Sequence, residues 1–210
     1  MLERWITVTV LGEAIGFGGA MMLGRAALML LGDPAPGPAT ELLVFALSAS
    51  AGLVEGACLG LAQWLVLRRL FPRLPLRGWV VATAIGAALA WVLGMGAGMH
   101  APGVPPSPAV LAVLAVLGGL VLGAVLGAAQ ALVLRRFCSA GGPWILASAL
   151  GWTIGLLFAY AGAALTPDPG ASVHNIVVMI FSGAAMAIAP ALATGLVLQD
   201  HGLRGALVRD

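Results

Sequence analysis

Apolar residues dominate six stretches of this chain, roughly Trp5–Leu31, Glu41–Leu67, Trp79–Met99, Ala109–Leu134, Trp144–Leu165 and Val173–Leu198. Each can cross a hydrocarbon core, which takes about 20 helical residues. None alternates as a barrel strand does, and a segment crossing lipid must satisfy its own backbone hydrogen bonds, so all six predict helices. Two kinds of loop join them. Gly32–Pro38, Ala101–Pro108 and Thr166–Gly170 are rich in proline and glycine, whereas the other two loops carry Arg68, Arg69, Arg73 and Arg77, or Arg135 and Arg136. With six spans, Arg4, both arginine loops, Arg204 and Arg209 fall on one side. The positive-inside rule makes that side the cytoplasm and places both termini there. Glu13 interrupts the first stretch and no small-residue cleavage site follows, so a span fits better than a signal peptide.

Composition points the same way. Of 210 residues, 61% are hydrophobic, a further 30 are glycine, and 9% are charged, against about 25% in soluble proteins. A net charge of +2 makes the pI of 8.9 no sign of nucleic-acid binding. All ten basic residues are arginine, as a GC-rich genome would encode, and a bacterial inner membrane is the expected location. Cys58 and Cys138 sit in apolar runs and give neither a disulfide framework nor metal-ligand spacing.

The chain repeats itself. Gly56–Arg69 matches Gly123–Arg136 without a gap, and Leu196–Asp200 ends a weaker third copy. The odd stretches open at Trp5, Trp79 and Trp144, with a hydroxyl four residues on at Thr9, Thr83 or Ser148 and then Gly12, Gly86 or Gly151. The repeating unit is a two-helix hairpin. The expected fold is an all-α membrane protein of six transmembrane helices, three repeated hairpins (about 1–72, 73–139 and 140–210) around a pseudo-threefold axis, in one transmembrane domain. Small residues also recur every fourth position, as at Gly52-Gly56-Gly60, Gly119-Gly123-Gly127 and Gly183-Ala187-Ala191-Gly195. That spacing lines one helix face and predicts close packing. The three opening tryptophans are expected as anchors at the membrane interface.

The run Gly-x-x-x-Gly-x-x-Gln-Trp-x-Val-Leu-Arg at Gly56–Arg68, its echo at Gly123–Arg135 and the start at Trp144 resemble a repeat in uncharacterised bacterial polytopic membrane proteins. The resemblance covers most of the chain. It implies the topology and brings no catalytic residues. Mitochondrial carriers also use three two-helix repeats, but their Pro-x-[Asp/Glu]-x-x-[Lys/Arg] signature is absent here.

Positions that keep the repeat read as structural, and those that break it as candidates for chemistry. Gln63 and Gln130 recur at one depth with Thr194 in the third slot. With Thr9, Thr83 and Ser148 they can form a ring of interhelical hydrogen bonds, or a polar constriction. Glu13, Arg25 and Glu55 are charges within the spans, all in the first hairpin. Their matched positions are uncharged: Ala87 and Trp152, Met99 and Ala164, Leu122 and Met186. A carboxylate at mid-depth costs about 2.5–3.5 kcal/mol on insertion scales, so it faces a partner, a cavity or the bundle interior. Glu55 and Glu13 are therefore candidate proton, cation or ligand sites, and Arg25 is expected to snorkel outward or pair with Glu41. His100 and His174 are the imidazoles that a haem or chlorophyll-type ring would use, but lone histidines at helix ends usually lie at the interface. No cofactor or metal is expected, while bound lipid is. Pro190 should kink its helix and free a carbonyl.

No Gly-x-Ser-x-Gly, His-Glu-x-x-His or paired intramembrane aspartates occur, so an enzyme is not expected. The first reading is a structural or accessory subunit, partnered by lipid and by other membrane subunits or by itself. The alternative is a small proton- or cation-coupled transporter or channel. A transporter would gather Glu13, Glu55 and Gln63 about one cavity, whereas a scaffold would bury each against a different neighbour.

Overall fold

A computed structural model describes residues 1–31, 37–99, 107–166 and 172–202. It is all-helical among these residues, with α1 Leu2–Leu31, α2 Pro38–Leu70, α3 Leu76–Met99, α4 Pro108–Leu134, α5 Gly141–Ala164 and α6 Val173–Val197. All six are long and apolar enough to cross a membrane, as in a multi-pass membrane protein. Helix ends differ from the hydropathy reading by a few residues, for local reasons. Proline occupies the first turn of α2 and of α4, where its missing N–H costs nothing. The Ser107 hydroxyl accepts from the Val110 N–H to cap α4, and Ser172 does the same for Asn175 at the start of α6.

Each helix packs on its neighbours in sequence, and α1 closes against α6, so the six form a ring. Large apolar side chains such as Leu11, Ile15, Val81, Ile85, Leu89, Leu146 and Leu150 face outward. Thr9, Glu13, Glu55, Gln63, Thr83, Gln130, Ser148 and Thr194 are buried. Apolar outside and polar within is the arrangement that lipid demands.

The glycine ladders are the contact lines of this ring. A Cβ at Gly52 would stand 2.5 Å from the Ala88 Cα, one at Gly56 2.6 Å from the Ala84 Cα, and one at Gly123 2.8 Å from the Ala149 Cα. Backbones meet there with no room for a methyl group. Gly151 lies directly against Pro190. A Cβ at Gly155 would be 2.5 Å from the Met186 carbonyl oxygen, the acceptor that proline at 190 cannot serve. The freed carbonyl thus faces the Gly155 backbone, and α6 is one helix through Pro190. Small residues in α1, α2, α4 and α5 are in this way occupied by other helices of the same chain.

Candidate functional site

The axis of the ring is best followed from its arginine-bearing end. Trp5, Trp79 and Trp144 are fully buried there, with Trp144 edge-on to both others at centroid distances of 5.7 and 6.0 Å. Leu67, Leu134 and Leu198, also fully buried, pack into the same cluster. This overturns the expectation that these tryptophans anchor the chain at the interface. A tryptophan near a span end points inward when its N–H finds a partner inside, and two of the three do.

The partners form the next layer. Trp144 Nε1 donates to Gln130 Oε1 at 3.0 Å, and Trp5 Nε1 donates to Thr194 Oγ1 at 3.2 Å. Gln130 Nε2 donates to Gln63 Oε1 at 2.9 Å and to Thr83 Oγ1 at 3.2 Å. Gln130 is the hub, joining residues of α2, α3 and α5 through its own place on α4. Thr83 donates to the Trp79 carbonyl at 2.9 Å, and Thr194 to the Pro190 carbonyl at 2.6 Å. The layer is incomplete at two points: the Trp79 indole N–H and the Thr9 hydroxyl have no hydrogen-bond partner among the described residues.

One turn further along α1 lies Glu13, fully buried, with no N–H or hydroxyl donor to either carboxyl oxygen among the described residues. It borders an axial cavity of about 10 Å³ with Thr9, Gln63, Gln130, Ser148 and Thr194. That is about the room one water-sized occupant needs. Glu55 of α2 is the nearest carboxyl to Glu13, and the two are close enough to share one proton in a carboxyl–carboxyl hydrogen bond. The close fit of Gly16 onto the Glu55 backbone, where a Cβ would lie 2.9 Å from the Glu55 carbonyl oxygen, brings the two helices together at this depth. Glu55 Oε2 accepts from Trp91 Nε1 at 2.8 Å.

Glu55 also borders a second, larger chamber of about 280 Å³ toward the proline-rich end. Phe17, Trp91, Leu122, Trp152, Met179 and Met186 are among its walls, and Leu126 and Trp152 line both cavities. The axis therefore runs from a tryptophan plug through a bonded amide layer to two carboxyls and then a mostly apolar chamber. No arginine or histidine among the described residues lines either cavity. A charged carboxylate in such a place has to be neutralised by a proton or a cation.

Glu13, Gln63 and Gln130 share one cavity and Glu55 lines the other, so the three groups expected about a single transporter cavity are divided between two. Arg25 lies on α1, but its side chain, like all of His100, is outside the described residues. His174 is exposed at the start of α6, with Nε2 3.3 Å from the Leu165 carbonyl oxygen, and it lines neither cavity. Sequence reasoning missed Trp91 as the partner of Glu55 and Trp152 as a shared wall. The available signal was that Trp91 stands twelve residues after Trp79, as Phe17 does after Trp5. Comparison with known protein families, with curated proteins and with solved structures finds no match.

Proposed function

We propose that this chain is a multi-pass protein of a bacterial inner membrane, built as three hairpins about a pseudo-threefold axis, which binds and passes a proton or small cation at Glu13 and Glu55. The observation that carries the reading is the Glu13 carboxyl, fully buried at an axial cavity with a second carboxyl, Glu55, as its partner. Two carboxyls at one buried place can pair only by holding a proton or a cation between them, which a plain helix contact does not require. Support for the hairpin repeat comes from burial: Trp5, Trp79 and Trp144 are all fully buried, and so are Leu67, Leu134 and Leu198 at matched places in the even helices. The arginines of the α2–α3 and α4–α5 connections favour that end as the cytoplasmic one.

The accessory-subunit reading rests on glycine seams, on the lack of room for a soluble domain and on few polar atoms at membrane depth; of these, most seams within the ring are filled by this chain's own helices. Those seams call for no outside partner. The transport reading is tested by reconstituting the purified protein in liposomes and imposing a pH or cation gradient. Flux should be present in the wild type, fall to the protein-free level in Glu13→Gln and Glu55→Gln, and persist in Leu122→Gln, which alters the position matched to Glu55. No flux from folded wild-type protein, or equal flux in all four, would overturn it.

A further inference from the structure

The larger chamber has a chemistry that a proton or bare metal ion does not use. Its volume of about 280 Å³ is well above the roughly 150 Å³ that suffices for benzene in an apolar protein cavity. It approaches the lower end of small-molecule pockets, about 300–1,000 Å³. Among the described residues Glu55 is the one ionisable side chain on its wall apart from the phenol of Tyr160, and the rest of that lining is aromatic, aliphatic, methionine or glycine. Trp91 holds the Glu55 carboxyl by its N–H, fixing the acidic group at the chamber wall. Phe17 packs at 6.2 Å against the Trp91 ring, and Met179 and Met186 join the same cluster.

Each class of occupant can be weighed against these walls. An anion would meet Glu55 with no basic side chain among the described residues to offset it. A hydrated metal ion would satisfy the carboxyl but wet the apolar surface. A neutral hydrocarbon would fill the space and leave the acid buried without a counter-charge. A cation with an apolar body satisfies all of the lining at once. Its charge lies against the carboxylate and over indole faces, which attract cations, and its body displaces water from the methionine and leucine walls. We propose that this chamber is a binding site for a small lipophilic ammonium ion, held at Glu55 between Trp91 and Trp152. The inference rests on the axial-site reading above and names the substrate class of that site: the ammonium and a proton or metal ion would compete for the same carboxyl.

The test is equilibrium binding of radiolabelled benzyltrimethylammonium to the full chain in nanodiscs. This probe carries a permanent charge and differs from neopentylbenzene only by nitrogen for carbon. Saturable binding is expected, with neopentylbenzene competing more weakly by about tenfold or more. Glu55→Gln should weaken binding to a similar degree, while Leu146→Met on the outward apolar surface should not. Trp91→Phe keeps a ring but removes the N–H that fixes Glu55, and should give an intermediate loss. Circular dichroism and thermal unfolding check that each variant is folded. Binding absent in folded wild type, unchanged in Glu55→Gln, or equally strong for neopentylbenzene would overturn the proposal, the last pointing to a lipid or hydrocarbon occupant. Proton flux that needs Glu13, without ammonium binding, would overturn this inference and keep the transport reading. Glu55-dependent binding without flux would keep this site and overturn transport.

Discussion

The two halves of the axis are built on the same helices and packed in opposite ways. At the arginine-bearing end, three tryptophans and three leucines fill the space, and Gln130 ties four helices together. Beyond Thr9 the filling fails: Glu13 has only the Glu55 carboxyl for a partner among the described residues, one cavity follows, and a chamber of about 280 Å³ lies past Glu55. The difference follows the sequence slots. Where matched positions carry the same residue, as with Trp5, Trp79 and Trp144, the layer closes. Where they carry Glu13, Ala87 and Trp152, or Glu55, Leu122 and Met186, sizes and polarities no longer complement one another and space remains. A closed ring of helices can thus be plugged at one depth and hollow at the next by side chains alone.

Glycine substitutions test that contrast most severely. A Cβ at Gly127, in the filled layer, would stand 2.7 Å from the Ser148 Cβ, whereas one at Gly94, on the chamber wall, would meet nothing nearer than Leu122 Cδ1 at 3.5 Å. Gly127→Leu should destabilise the protein by about 3 kcal/mol or more, and Gly94→Leu by less than about 1 kcal/mol, as read from unfolding in detergent. Equal effects would mean that the chamber is no roomier than the plug.

A smaller effect separates the polar groups. Gln130→Leu leaves the Trp144 N–H and the Gln63 carbonyl without their partner, and should cost about 2 kcal/mol. Glu13→Leu removes a buried carboxyl whose partner among the described residues is Glu55, and should cost clearly less than Gln130→Leu while abolishing flux. Destabilisation by Glu13→Leu as large as that of Gln130→Leu would make Glu13 a structural residue. Smallest is the indole pair. Trp144→Phe leaves Gln130 short of a donor, whereas Trp79→Phe deletes an N–H that had no partner, so the first should be the worse by about 1 kcal/mol. Their difference cancels the lost ring volume that both share.

Hydropathy alone made the six helices legible, and the four-residue spacing of glycines gave their packing faces. The polar layer was legible too, because Gln63, Gln130 and Thr194 recur at one depth. What the chain does not display is helix rotation. In a soluble helix an apolar stripe marks the inside, but here the lipid face and the core face are both apolar, so Trp5, Trp79 and Trp144 read equally well in either direction. The same ambiguity hid the bond from Trp91 to Glu55, two residues on different helices that meet only once both rotations are known. Glu13 and Glu55 were visible as charges that break the repeat, but their nearness depends on Gly16 letting α1 settle onto α2.

The proposed axial site at Glu13 and Glu55 exchanges a proton or cation, and that exchange has a direct spectroscopic signature. Difference infrared spectroscopy of the protein in nanodiscs, stepped across pH and with a permanent ammonium ion added, reads the carboxyl groups themselves. A carboxylic-acid band that responds to both, and is lost in part in each of Glu13→Gln and Glu55→Gln, is expected. A spectrum in which these carboxyls respond to neither, or a band unchanged in both variants, would contradict it.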